Sequence, residues 1–255
     1  MRKKLFIFFL LLLCLTGCGT QPLSKEKEAK ICAKALVERL NNGKKGALLE
    51  LFEEPKKVDK NALIKFSHMH GKIKKAYVYI DDVSCSRSIE DGGTQINVDG
   101  VSILLFGEKT TYRADANFEE KDGKVFLSSL YISTGMTEAA RNAGKIGKDS
   151  NAVFVFDDSL DSVPSKPYAI VGGEILSWNK SAKPLCLNKP TKKWKNKQYE
   201  NFVGVFGKSG GEFYQKKYYQ STEKTKFVEL LVSDEGTILG MQTVTEKGSG
   251  ISILE

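Results

Sequence analysis

The chain holds two histidines, His68 and His70, and their spacing decides what they could do. On a strand they would share a face and could chelate a metal, whereas on a helix they point about 200° apart. Helically spaced apolar residues precede them and Gly71 follows, so they read as polar residues of a last helical turn, and no metal site is expected. A Ser-His-Asp system built on either histidine lacks a nucleophile elbow. Carboxylates stand side by side at Asp81-Asp82, Glu90-Asp91, Glu119-Glu120 and Asp157-Asp158. Neighbours on a strand point to opposite faces, so these pairs read as surface charge. Arg113, Asp115 and Asn117 differ, because alternate positions on one expected strand put all three on one face. There they form the polar floor of a pocket if the face is concave, and ordinary solvated residues if it meets water. Gly207-Lys208-Ser209 has the ending of a phosphate-binding loop, but Phe202 stands where that loop needs its first glycine. Gly207 to Gly211 is therefore expected as a hairpin turn, and no cofactor is expected.

The opening residues carry a stronger pattern. Arg2-Lys3-Lys4 is followed by an unbroken apolar run, Leu5 to Leu15, and then at once by Thr16-Gly17-Cys18. At ~1.5 Å per residue the run covers about 17 Å of a ~30 Å hydrocarbon layer, which is the length of a signal h-region rather than of a membrane span. Leu15-Thr16-Gly17-Cys18 resembles the lipobox of bacterial lipoproteins. That resemblance implies a signal peptide over residues 1–17 cut between Gly17 and Cys18, and a lipid on the Cys18 thiol. It also implies acyl chains such as palmitate in the membrane, and the lipoprotein-processing enzymes as partners. The body would face the periplasm or the cell exterior, tethered by residues 18–24. Gly19 lacks the aspartate that favours inner-membrane retention, which leaves the choice of membrane open.

Of five cysteines, Cys32, Cys85 and Cys186 remain in the body. There is no Cys-x-x-Cys, and in an exported compartment Cys32 and Cys85 could form a disulfide or persist as buried thiols. Lys+Arg number 39 against 31 Asp+Glu, a formal charge of +8, and about +5 without the leader; the excess is too mild to imply nucleic acid. Lys189, Lys192, Lys193, Lys195 and Lys197 flank Trp194, and this run could rest on anionic headgroups or form a solvated loop. Tyr199, Tyr214, Tyr218 and Tyr219 could form an aromatic contact surface or sit half-buried in strands.

The elements that must position these residues change character along the chain. Ser24 can cap a helix through Leu40, a second short helix is expected from Ala47 to Phe52, and Asp59 can cap a third that ends before Gly71. The period then changes to two. Strands are expected around Ala76 to Ile80, over Ile96 to Phe106 and over Thr111 to Phe118, with an Asp122-Gly123 turn leading into Lys124 to Ile132. Beyond 150, strands are expected at Ala152 to Phe156, Phe202 to Phe206, Glu212 to Gln220, Phe227 to Val232 and Ile238 to Val244. The two halves end in hairpins of similar rhythm, consistent with a weak duplication or with a separate second domain.

The lipobox, the long amphipathic helix, the Leu48–Phe52 segment, Phe66 to Ile73 and the strands closing with Tyr112 resemble small uncharacterised lipoprotein domains. Those domains are similar to the nuclear transport factor 2-like (SnoaL-like) cone fold. Over residues 25–135 the resemblance implies an α+β domain, with N-terminal helices packed on a curved antiparallel sheet around a pocket, followed by a β-rich antiparallel region over 150–255. The expected function is non-enzymatic binding of an envelope ligand or protein by a membrane-anchored lipoprotein. An enzyme of SnoaL-like type using Asp115 or His70, and a proteinaceous inhibitor or assembly factor, are the alternatives.

Overall fold

A computed structural model of the chain describes residues 22–42, 46–69, 71–90, 92–133, 153–156, 168–186, 192–223 and 225–254. Helix α1 (Lys25–Asn41) starts where the sequence places it, with the Lys27 amide donating to Ser24 Oγ at 3.4 Å. Ala29, Cys32, Ala33, Leu36, Val37 and Leu40 are buried along one stripe, the spacing of a helix with a single apolar face. At its end the Asn41 side chain acts as a substitute strand. Its Nδ2 donates to the Ile73 carbonyl at 3.1 Å and its Oδ1 accepts from the Ile73 amide at 2.8 Å, which fastens the helix to the start of the first sheet. Helix α2 (Lys60–Met69) is capped by Asp59, whose Oδ1 accepts from the Asn61 and Ala62 amides. The helix expected from Ala47 to Phe52 reduces to one 3-10 turn, Leu49–Leu51, after which Phe52 bridges to Leu127. The bridge buries Phe52 in the main core.

Strands dominate from there. β1 (Ile73–Tyr79), β2 (Ser84–Glu90), β3 (Gly93–Gly107), β4 (Thr111–Lys121), β5 (Lys124–Ser133) and β6 (Val153–Phe156) belong to one seven-stranded sheet. Its seventh member is a late strand, β13 (Ile251–Ser252), which pairs with β1 through Tyr77↔Ser252 and Val78↔Ile251. β6 is the exception to the antiparallel pattern and runs parallel to β5. β3 changes partner partway: residues 93–99 pair with β2 and residues 102–107 with β1, and a register shift between Val98 and Val101 separates the two stretches. Gly100, at φ 73, sits in that bulge. The face bearing Ala76, Val78, Ile103, Leu105, Tyr112, Ala114 and Phe118 joins the α1 stripe in the main core, where the Phe66 and Tyr112 rings meet edge to face at 5.1 Å.

A four-stranded sheet follows, in the order β12 (Ile238–Val244), β11 (Phe227–Val232), β10 (Lys216–Gln220), β9 (Gly211–Phe213). One of its faces is covered by helix α3 (Tyr199–Phe206), and Trp194, Phe202, Tyr219, Leu230 and Ile238 share a core there. The hairpin of β7 (Tyr168–Val171) and β8 (Glu174–Ser177) covers the other, with Val171, Leu176 and Tyr218 at the centre.

Two further expectations are overturned here. The chain is not an α+β domain of N-terminal helices packed on a sheet; it is predominantly antiparallel β, with α1, α2 and α3 the only α-helices among the described residues. The physical reason is that most of the core is supplied by strand faces, with α1 contributing one stripe and the two other helices short. Phe202 to Phe206, expected as a strand, lies in α3, because Tyr199, Phe202 and Phe206 recur at helical spacing and meet the Trp194 and Tyr219 rings on one side.

Candidate functional site

β4 puts Arg113, Asp115 and Asn117 on the face opposite the main core, and each is already engaged. Arg113 Nη2 donates to the Gly173 carbonyl at 2.7 Å and to Glu174 Oε1 at 2.8 Å, beneath the β7–β8 turn, and both side chains are about nine-tenths buried. Burial works to lower the Arg113 pKa, but Glu174 and Asp115 outweigh it and hold it above its ordinary value. Ser102 Oγ donates to Asp115, and the Gly100 amide donates to Asn117 Oδ1 at 2.9 Å, which stitches the bulge to β4. Nearby, the Tyr79 hydroxyl donates to the Lys247 carbonyl at 2.6 Å. A Cβ on Gly173 (φ 89) would collide with that phenol, so glycine is required for the turn to close over β1. Burial pushes the Tyr79 pKa well up. This face therefore joins the first sheet to the β7–β8 hairpin through buried polar groups, of which Arg113 Nε and Glu174 Oε2 are left without a hydrogen-bond partner.

The other sequence candidates are dispersed. The leader with Gly17 and Cys18, together with His70 and the His68 side chain, lies outside the described residues. Cys32, Cys85 and Cys186 are free thiols. Burial first, then the Glu120 and Glu28 carboxylates, push the Cys32 pKa up to about 12. Among the described residues no three His, Cys, Asp or Glu side chains cluster as metal ligands. Trp194 is buried against Phe202 and Phe206, while Lys193 and Lys197 stack over its ring at 5.8 and 5.6 Å. Tyr218 and Tyr219 are core residues, and the Tyr199 and Tyr219 hydroxyls meet at 2.9 Å. Gly207 to Gly211 connects α3 to β9 rather than turning a hairpin.

Two grooves lie around β9 and β10. One groove of about 780 Å³ is lined by Trp178, Asn179, Tyr199, Glu200, Lys208 and Glu212, among others. The Trp178 indole lies flat against the Gly210-Gly211 backbone, so closely that a Cβ on Gly210 would overlap the ring, and it meets Phe227 edge to face at 5.6 Å. Lys217 Nζ sits 2.6 Å from Glu212 Oε2 and 5.9 Å from the centre of the Tyr199 ring, and Ser209 Oγ donates to Glu212 Oε1 at 2.8 Å. Partial burial works to raise the Glu212 pKa, but Lys217 and Ser209 outweigh it and hold the carboxyl below its ordinary range. A second groove of about 650 Å³ is lined by Tyr214, Gln215, Lys216, Lys217, Leu231 and Asp234, among others. Tyr214 is half exposed and adopts a left-handed backbone, φ 53, a strained state for a bulky residue.

Trp178, Glu200, Lys208 and Glu212 were not singled out from the sequence. The signal available was the glycine pair 210–211 in a segment otherwise rich in charge, which marks a close approach to backbone. No described helix is long and apolar enough to cross a membrane. No protein-family model, no curated protein and no solved structure matches the chain.

Proposed function

We propose that this protein is a bacterial envelope lipoprotein, anchored through lipid on Cys18, whose body binds a ligand and performs no chemistry. The observation that carries the anchoring is the register of Arg2-Lys3-Lys4, the apolar run Leu5–Leu15, Thr16-Gly17 and the Cys18 thiol. Each buried CH₂ adds ~0.8 kcal/mol, so two or three acyl chains hold a body of this size firmly at a membrane. The open grooves beside β9 and β10 support the binding role, since they combine aromatic rings with a few fixed polar groups, the composition of a ligand site. The polar face of β4 does not compete with them, because Arg113 is closed over by the β7–β8 turn.

The test is metabolic labelling of bacteria that express the full chain with an alkyne-bearing palmitate analogue. The wild-type protein takes up label and sediments with membranes, and Cys18→Ala loses the label and leaves the membrane fraction. An unlabelled, freely soluble wild-type protein would overturn the anchoring.

A further inference from the structure

The two grooves adjoin. Glu212 lines one and Lys217 the other, and the two side chains pair across β9 and β10 at 2.6 Å. Together they form a surface with aromatic rings at Trp178 and Tyr214 and with charges of both signs between them. The charge arrangement decides what can bind. A cation meets competition, because Lys217 already occupies both the Glu212 carboxylate and the face of Tyr199. An anion meets Glu200, Glu212 and Asp234, and where α3 starts beside the groove the Tyr199 and Asn201 amides already donate to the Gly236 and Gln198 carbonyls. A purely apolar ligand would strip water from Asn179, Lys208, Gln215 and the carboxylates with nothing in return. The ligand that suits this mixture is neutral, offers hydroxyls that both donate and accept, and carries C–H faces that lie on aromatic rings.

Rigidity adds a second argument. Trp178 is fixed by the glycine backbone below it and by Phe227, and Glu212 is fixed by Lys217 and Ser209, so little side-chain freedom is lost when a flat ring docks. Tyr214 is held half exposed by a strained backbone rather than folded into the core. Resting on the ligand-binding reading above, we propose that the two grooves form one continuous site for an uncharged oligosaccharide. Trp178 and Tyr214 act as stacking platforms, and Glu200, Glu212, Lys208 and Asn179 act as hydroxyl partners.

The experiment uses the full chain in detergent micelles, with Trp194→Phe so that Trp178 alone reports by fluorescence. Chitotetraose, cellotetraose and maltotetraose are titrated separately, each beside its disaccharide. The expected result is a saturable change with at least one tetrasaccharide, weaker by about tenfold or more for its disaccharide, with Glu200→Gln and Tyr214→Ala each weakening binding severalfold. Both substituted side chains are exposed, and circular dichroism confirms that the variants fold. Absence of a response to all three sugars at about 10 mM, or binding that both substitutions leave unchanged, overturns the proposal. Binding only to a sulfated polysaccharide, abolished by salt, overturns it as well and assigns the lysines to a polyanion. None of these outcomes touches palmitate labelling at Cys18, so failure of the sugar proposal and failure of the anchoring are told apart.

Discussion

Arg113 and Glu174 form a buried ion pair between β4 and β8, and single and double substitution there should give opposite results. Arg113→Met leaves the Glu174 carboxylate buried without its partner and should cost about 3–5 kcal/mol in urea unfolding. The Arg113→Met/Glu174→Leu double variant removes both charges and should recover most of that loss. A single substitution as mild as the double would show that the pair is hydrated. Glu212 responds to pH in a defined sense. Its folded pKa lies below its ordinary value, so its contribution is present at neutral pH and is lost as pH falls through the folded pKa. Glu212→Gln should remove that part of the acid dependence while leaving the curve above neutrality unchanged, as read from urea midpoints across pH 3–7. Among the thiols, exposed Cys186 should react with iodoacetamide at pH 8, while buried Cys32, whose pKa is pushed up to about 12, should stay unlabelled until the chain unfolds. Peptide mass spectrometry reads both outcomes.

At the scale of elements, the caps and the Asp122-Gly123 turn are written plainly in the sequence, whereas partner choice and the turn that splits Glu212 to Gln220 into β9 and β10 are not. Ser24 and Asp59 begin helices because their side chains satisfy first-turn amides, and Asp122-Gly123 turns β4 into β5 with both residues at positive φ. β2 is hard to read from the sequence because Ser84 to Glu90 is mostly polar, with only Cys85 and Ile89 apolar; the Asp91-Gly92 pair after it is the usable signal. α3 is not told from a strand by Phe202 to Phe206 alone, a short apolar run in which helix and strand periods coincide unless Tyr199 and Trp194 are weighed with it. The site was least legible. Trp178 belongs to it only because the loop after α3 folds back under the indole, and no local pattern reports such a contact. Gly173→Ala tests an element boundary. The added Cβ collides with Tyr79 and the residue sits at φ 89, so the variant should lose more than ~1 kcal/mol in thermal or urea unfolding. Gly123→Ala, whose Cβ would meet nothing, should lose only the cost of its backbone conformation.

Across the whole molecule, the first sheet is closed by residues from far along the chain. β6 and β13 come from beyond residue 150, and the β7–β8 turn is pinned on one side by Arg113 and on the other by the Thr245 and Glu246 carbonyls. The two sheets should therefore unfold together. A chain ending at Lys247 loses β13, and hydrogen exchange in that variant should quicken at the β1 amides that β13 covers, around Tyr77 and Val78. Unchanged exchange in β1 would show that the late strand is an ornament on a sheet complete without it.

The contact between Tyr79 and Lys247 also has a meaning in time. It spans 168 residues, and a chain emerging at ~5–20 residues per second makes Tyr79 wait about 8–34 s for its partner. Throughout that interval the β1 edge stands open and the first sheet is unfinished. Ribosome pauses or slowed translation between the two residues would lengthen that interval, while the sheet pairings made within residues 73–133 could form before the locking segment arrives.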